Sequence, residues 1–334
     1  MKKITNNNLS LQNSSKQEVL DAISKIIKQS NTFFIAGHTK PDGDALGSGL
    51  ALASLLRRMG KKVTHCSLDP VPQDMAFMKR SKSIKITNKT SKNFDCAIIL
   101  ECINFTRMGD IISPSQAKKI INIDHHLAHS NFGNVNYILP SSSSVSELIY
   151  DVFMNLKMIP TKEEAENLYI GIVTDTGRFQ QLNTNANSHL VVAQLLKCGV
   201  NSNKLCKKLF LTMEIPKMKL YGLALSNIET AYNEKLVYIK LTKDMFTKTK
   251  ASDTDTDGII NYCISAPKAV VGCLLKEVDN KTTKLSFRSI EKFNLLNIVK
   301  LFNGGGHKNA AGCTINSDIN IATKKIIEAF KGKL

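Results

Sequence analysis

After a polar opening, the first dense apolar run is Thr32-Phe-Phe-Ile-Ala36, short and unbroken, which predicts a strand buried on both faces. Over residues 45–59 the apolar positions recur at helical spacing and Gly60 follows, so a helix with a glycine just past its end is expected. Residues 63–68, 95–100 and 119–123 are further strand candidates, separated by segments long enough for crossover connections. Strand, loop and helix repeating in this way predict a mostly parallel α/β sheet flanked by helices.

Ser144-x-x-Glu147 and Thr161-x-x-Glu164 each precede an apolar-periodic stretch and read as capping boxes, so helices should dominate residues 144–230. Within that region 189–198, 203–210 and 217–229 read as a helical connection. From Lys235 the texture changes. Residues 235–242, 269–278 and 284–289 read as strands, with helices expected over 258–265, over 294–302 and from about Ile321. The expected organisation is a polar tail over 1–18, an α/β domain over 19–185, a helical linker over 186–230 and a smaller α+β domain over 231–334.

At 43% hydrophobic and 22% charged residues the composition is that of an ordinary globular chain, which excludes a disordered polymer. Apolar runs such as 97–100 and 269–275 fall far short of the ~20 residues that cross a bilayer. Asn, Ser and Gln follow Lys2 and Lys3 where a signal peptide needs an apolar segment, so no membrane partner and a cytoplasmic location are expected. The eight cysteines include no C-x-x-C pair and are expected to be reduced and buried. A net charge of +17 favours anionic partners, but a lysine-rich genome bias gives the same number, so charge only supports other arguments.

Chemistry-bearing residues gather where predicted elements end. His38-Thr-Lys-Pro-Asp42-Gly-Asp44 fills the loop between the first strand and the first helix. An imidazole with two carboxylates suits a divalent cation such as Mn²⁺, while a Pro-Asp-Gly turn with Asp44 as helix cap accounts for the same residues without one. Asp124-His125-His126 follows the 119–123 strand, and three ionisable residues in a row are hard to explain as packing. Asp175-Thr176-Gly177 follows an apolar segment, and Glu101, with Arg107 shortly after, follows the 95–100 strand. Open α/β sheets bind ligands outside the carboxyl ends of their strands, and four recurrences favour one shared site over four separate caps.

These motifs, in this order and at these separations, resemble the DHH phosphoesterases. Downstream, Phe287-Arg288-Ser289 followed by Gly304-Gly305-Gly306-His307-Lys308-Asn309-Ala310-Ala311-Gly312 resembles their DHHA1 substrate domain, so the likeness spans nearly the whole chain after residue 30. The compact pairing of domains is most similar to the bifunctional oligoribonuclease and 3′-phosphoadenosine 5′-phosphate (pAp) phosphatase subgroup. The resemblance implies a hydrolase with two Mn²⁺ ions, Mg²⁺ being compatible as well. His38 and Asp42 would hold one ion, Asp44 and His125 the other, with Glu101 and Asp175 shared or adjacent. Asp124 would support from behind and His126 would face the phosphate, so that Asp124, His125 and His126 form the catalytic group. Substrate contacts are implied for Arg107, Arg288, Ser289, Gly304, Gly305, Gly306 and His307. The family usually carries Asp where this chain has Glu101, which leaves the metal spacing there open.

The substrates so implied are short oligoribonucleotides and pAp, with cyclic or linear dinucleotides such as c-di-AMP or pApA as the alternative. A RecJ-like single-strand exonuclease and a nucleotide-binding regulator without catalysis are further readings, and a homodimer is compatible with all of them. Asp253-Thr-Asp255-Thr-Asp257-Gly258 begins like an EF-hand loop, but Ile264 stands at the twelfth position where a bidentate Glu is required, so helix capping is the better reading. No Walker A pattern occurs. His65, His129 and His189 lie outside the motifs and are expected to be structural or exposed.

Overall fold

The structure is a computed structural model and describes residues 9–290 and 292–334. It divides into two units, one ending at Leu211 and the other starting at Thr212. The first holds strands β1 (Leu9–Ser10), β2 (Thr32–Ala36), β3 (Lys62–Ser67), β4 (Lys85–Ile86), β5 (Phe94–Leu100), β6 (Ala117–Asp124) and β7 (Val135–Ile138) in the order β1-β7-β6-β5-β2-β3-β4. Every pairing among them is parallel. Its helices are α1 (Lys16–Gln29), α2 (Gly43–Arg58), α3 (Val145–Asn155), α4 (Lys162–Asp175), α5 (Ala186–Lys197) and α6 (Ser202–Phe210).

The two-residue period of a strand explains why β2 after Thr32 and β5 after Asp95 are apolar. Phe33, Ile35, Cys96, Ile98 and Leu100 point into the core shared with the helices. Their neighbours Phe34, Ala36, Ala97 and Ile99 join a second cluster with Met108, Ile111 and Ile112 on the opposite face. The helix layer closes through glycines. A side chain at Gly47 would collide with the Asn167 carbonyl, and one at Gly171 with Ser146 Oγ and Asp44 Oδ1. Their absence lets α2 and α4 approach backbone to backbone, which brings Asp175 at the end of α4 towards Asp44 in the first turn of α2.

The second unit carries β8 (Ile228–Ala231), β9 (Leu236–Leu241), β10 (Val271–Asp279), β11 (Thr282–Ser289), β12 (Gly305–His307) and β13 (Ala310–Ile315) in the order β12-β13-β11-β10-β9-β8. Only β9 and β10 run parallel; the other described pairings are antiparallel. Alternation again divides the core: Leu236 and Tyr238 face one cluster, Val237 and Ile239 the other. Helices α7 (Ile215–Ser226), α8 (Lys243–Thr249), α9 (Ile259–Ile264), α10 (Leu296–Val299) and α11 (Ile319–Phe330) cover its faces.

Several sequence expectations change. Part of the polar tail expected over 1–18 is ordered: β1 pairs with β7, and α1 starts at Lys16 behind Ser15, whose backbone N–H donates to Glu18 Oε2 at 2.7 Å. Residues 1–8 of that tail lie outside the described residues. The 186–230 segment divides, because α5 and α6 contribute Val191, Leu195 and Leu205 to the first unit's core whereas α7 buries Leu220 and Ala224 in the second. The helix expected over 294–302 is a single turn, α10, followed by a 3-10 turn that ends where Asn303 turns left-handed at φ +52°. Asp42, not Asp44, caps α2, accepting from the Asp44 and Ala45 amides at 3.0 Å each. Ser144-x-x-Glu147 makes only half a box: Ser144 Oγ accepts from the Glu147 amide, but the Glu147 carboxylate turns inward.

Candidate metal centre

Capping by Asp42 separates the two carboxylates of the first motif. Asp42 spends Oδ1 on the helix amides and leaves Oδ2 facing His38 Nε2 at 3.6 Å. Asp44, fully buried, points to the start of α3, where the Val145 amide donates to its Oδ2 at 2.6 Å and the Ser146 amide to its Oδ1 at 2.9 Å. Two backbone amides at a helix N-terminus are a fixed cradle for a carboxylate.

Glu101 stands one residue beyond β5 and is 3% exposed. Its left-handed backbone, φ +56°, is uncommon for a residue with a β-carbon and turns the side chain out of the strand alternation. Glu101 Oε2 lies 3.7 Å from His38 Nε2, and Oε1 lies 4.0 Å from His125 Nε2. Oε2 accepts no hydrogen bond. Burial, with the charges of Asp44, Asp42, Asp175 and Asp124, pushes the carboxyl well above the usual range.

The imidazoles are oriented by backbone carbonyls. His38 Nδ1 lies 2.7 Å from the Thr39 carbonyl and His125 Nδ1 lies 3.3 Å from that of Ser142. A carbonyl can only accept, so each Nδ1 carries the hydrogen and each Nε2 is left with its lone pair. Asp175 Oδ2 sits 3.6 Å from His125 Nε2, and burial followed by repulsion from Asp44 and Asp42 raises this carboxyl to about 8. Asp124 does not join these groups directly. Its Oδ1 takes the His125 and His126 amides at 2.8 and 3.2 Å and faces His126 Nδ1 at 2.7 Å. Arg107 lies exposed, and its carbonyl accepts from the Thr39 amide next to His38.

Two sets of ligand atoms result, each within 4.8 Å: His38, Asp42 and Glu101, and Asp44, Glu101 and His125. Mixed imidazole and carboxylate donors, crowded like charges and a buried carboxylate oxygen without a donor together fit divalent cations. Residues with no sign of this role in the sequence complete the centre. Buried Glu147 accepts from Ser142 Oγ at 2.9 Å and Ser143 Oγ at 2.7 Å, holding the loop that orients His125 and cradles Asp44. Asn183 Nδ2 donates to the Ser143 carbonyl at 2.9 Å and to Asp175 Oδ2 at 3.2 Å.

In the second unit a pocket of about 740 Å³ is lined by Lys284, Arg288, Gly304, Gly305 and Gly306 among others. Ser289 and His307 are not part of that lining: Ser289 Oγ donates to the Phe293 carbonyl at 3.0 Å and accepts from Asn309 Nδ2 at 3.0 Å, and His307 pairs with Ala310 in the β12–β13 hairpin.

Residues 32–172 match the DHH family, N-terminal domain, and residues 233–332 match the DHHA1 domain. The chain is 27% identical to the bifunctional oligoribonuclease and PAP phosphatase NrnA of Thermus thermophilus, with 95% of each chain covered. It is 29% identical to the protein of the same description from Bacillus subtilis, over 86% of this chain and 90% of that one. A crystal structure of an exopolyphosphatase-related protein from Bacteroides fragilis superposes with a TM-score of 0.82 at 28% identity, covering 95% of this chain and 98% of that chain.

Proposed function

We propose, from the premise that this chain belongs to the DHH family of phosphoesterases and carries a DHHA1 domain, that it uses two divalent cations, Mn²⁺ by preference, to hydrolyse short oligoribonucleotides and to dephosphorylate pAp. The substrates follow from the oligoribonuclease and PAP phosphatase relatives. The observation that carries the metal reading is Glu101, a buried carboxylate without a donor on Oε2, common to both candidate ligand groups.

Bound divalent cations supply an activated water and neutralise charge on the phosphoryl group. The chain's own contribution is to set the ligands beforehand: amides hold Asp42 and Asp44, carbonyls hold His38 and His125, and Asn183 holds Asp175. Asp124 raises the pKa of His126, which favours the imidazolium form and suits it to donate to a phosphate oxygen. Arg288 and the glycine-walled pocket of the second unit serve to grip the part of the substrate that does not react. Eight free thiols suit a reducing cytoplasm, and no helix among the described residues is long and apolar enough to cross a membrane.

The test is hydrolysis of pAp, pApA, c-di-AMP, a short RNA and long single-stranded DNA, side by side, by chelated and Mn²⁺-restored protein. Chelation should abolish turnover and Mn²⁺ should restore it best on short RNA and pAp. Full activity after chelation refutes the metal reading, and a preference for c-di-AMP or long DNA refutes the substrate reading. Arg288→Ala should raise KM for pApA several-fold with a smaller fall in kcat, and leave bis-p-nitrophenyl phosphate hydrolysis unchanged. Equal losses on both substrates would rule out a grip by Arg288.

A further inference from the structure

The first unit contains a cavity of about 300 Å³ that shares no lining residue with the metal centre. Helices α4 and α6 meet there with the turn at residues 77–79. Phe77, Ile170 and Leu205 make an apolar wall, of which Ile170 and Leu205 belong to the close-packed core. The opposing lining is basic. Lys79, Lys162, Lys204 and Lys208 all contribute, and none of the four forms an ion pair among the described residues. Of the two acids present, Glu163 is engaged by Arg80 at 3.2 Å, which leaves Glu166 against four ammonium groups. Lys208 Nζ rests 5.0 Å from the centroid of the Phe77 ring. Asn167, 1% exposed, donates Nδ2 to the Lys79 carbonyl at 3.2 Å, which fixes the amide's orientation, and its Oδ1 has no partner.

A solvated lysine face alone does not need a hollow against Phe77, Ile170 and Leu205 beside it. Ammonium groups facing an aromatic and aliphatic wall instead suit an anion joined to a flat ring, and the volume lies at the small end of ligand pockets. We propose that this cavity is a second, non-catalytic site for a nucleotide that carries two or more phosphates. The phosphates meet Lys79, Lys162, Lys204 and Lys208, and the base lies against Phe77.

Calorimetric titration of EDTA-treated full-length protein with ADP tests this without turnover, so the result is independent of the proposed phosphoesterase activity. ADP should bind more tightly than either inorganic pyrophosphate or adenosine, each of which satisfies one wall. The exposed double variant Lys204→Glu, Lys208→Glu should weaken ADP binding by about tenfold or more, as the loss of charge-assisted contacts requires, and Phe77→Ala should weaken it several-fold. Both variants should hydrolyse bis-p-nitrophenyl phosphate at the wild-type rate, and Arg288→Ala should bind ADP as the wild type does. The proposal fails if ADP does not bind at millimolar concentration. It fails equally if Arg288→Ala abolishes binding while the lysine variant retains it, or if the cavity variants lose hydrolysis, which would make this region a folding element.

Discussion

The carboxylates at the two ends of β5 are treated in opposite ways. Asp95, near its start, accepts from Lys118 Nζ at 2.8 Å, Thr32 Oγ1 at 2.9 Å, the Thr32 amide at 3.0 Å and the Asn31 amide at 3.1 Å. Those donors, Lys118 first, hold it far below the ordinary carboxylate range. Glu101, just past the other end, is buried with one oxygen unpartnered and is pushed the other way. A strand seven residues long thus separates an acid that the protein itself satisfies from an acid that it leaves with a buried oxygen unpartnered. On the proposed metal reading, the difference marks where folding stability was given up for a site.

The comparison breaks first on turnover. Asp44→Ala and Glu101→Ala should each abolish hydrolysis and Mn²⁺ binding in folded protein, whereas Glu101→Asp should retain both; near-normal turnover by Glu101→Ala would remove this position from the ligands. Next in size, Glu147→Ala should weaken Mn²⁺ binding by about 10–100-fold, as loss of support behind metal ligands usually does, and unchanged affinity in a titration would show that the 142–146 loop orients itself.

A smaller effect changes sign with the metal. In chelated protein at a pH where Glu101 is ionised, Glu101→Gln should raise the stability by an amount on the order of 1–3 kcal/mol, and the melting temperature with it, because it removes a buried charge from among like charges. With saturating Mn²⁺ the wild type should be the more stable, since a ligand stabilises the state that binds it. A lower melting temperature for Glu101→Gln in both conditions would mean that Glu101 is satisfied by the protein. The smallest effect belongs to Asp95. Its folded pKa lies below its unfolded value of about 3.9, so its contribution is present above that pH and is lost as pH falls through and below it. Asp95→Asn should therefore be less stable than wild type at pH 7, with or without metal, and the two melting curves should converge in acid.

Much of the first unit was legible because each layer leaves a periodic mark: continuous apolar runs for β2 and β5, helical spacing for α2, and Thr161 with Glu164 for the start of α4. Ser15 and Glu18 carried the same capping signal for α1 but stood in a stretch whose polarity suggested a tail. β7 was missed because Val-Asn-Tyr-Ile is too short and mixed to stand out, and it is a strand because β6 lies beside it. Glu147 looked like a cap from its spacing, yet Ser142 and Ser143 drew its carboxylate inward.

The sequence by itself marked imidazoles and carboxylates that suit a cation and placed most of them just past the carboxyl ends of strands, with Asp175 at the end of α4, because ligand chemistry demands particular side chains and a parallel sheet gathers its strand ends on one edge. What holds the ligands was decided only by tertiary structure. The amides that cradle Asp44 come from residues 101 and 102 positions away, and a backbone N–H is the same in every residue except proline, so no letter of the sequence announces it. The lysine-walled cavity has the same origin: residues 77–79, 162–170 and 201–208 meet only because α4 and α6 pack beside that turn, and long-range packing turns scattered surface charge into a shaped basic pocket.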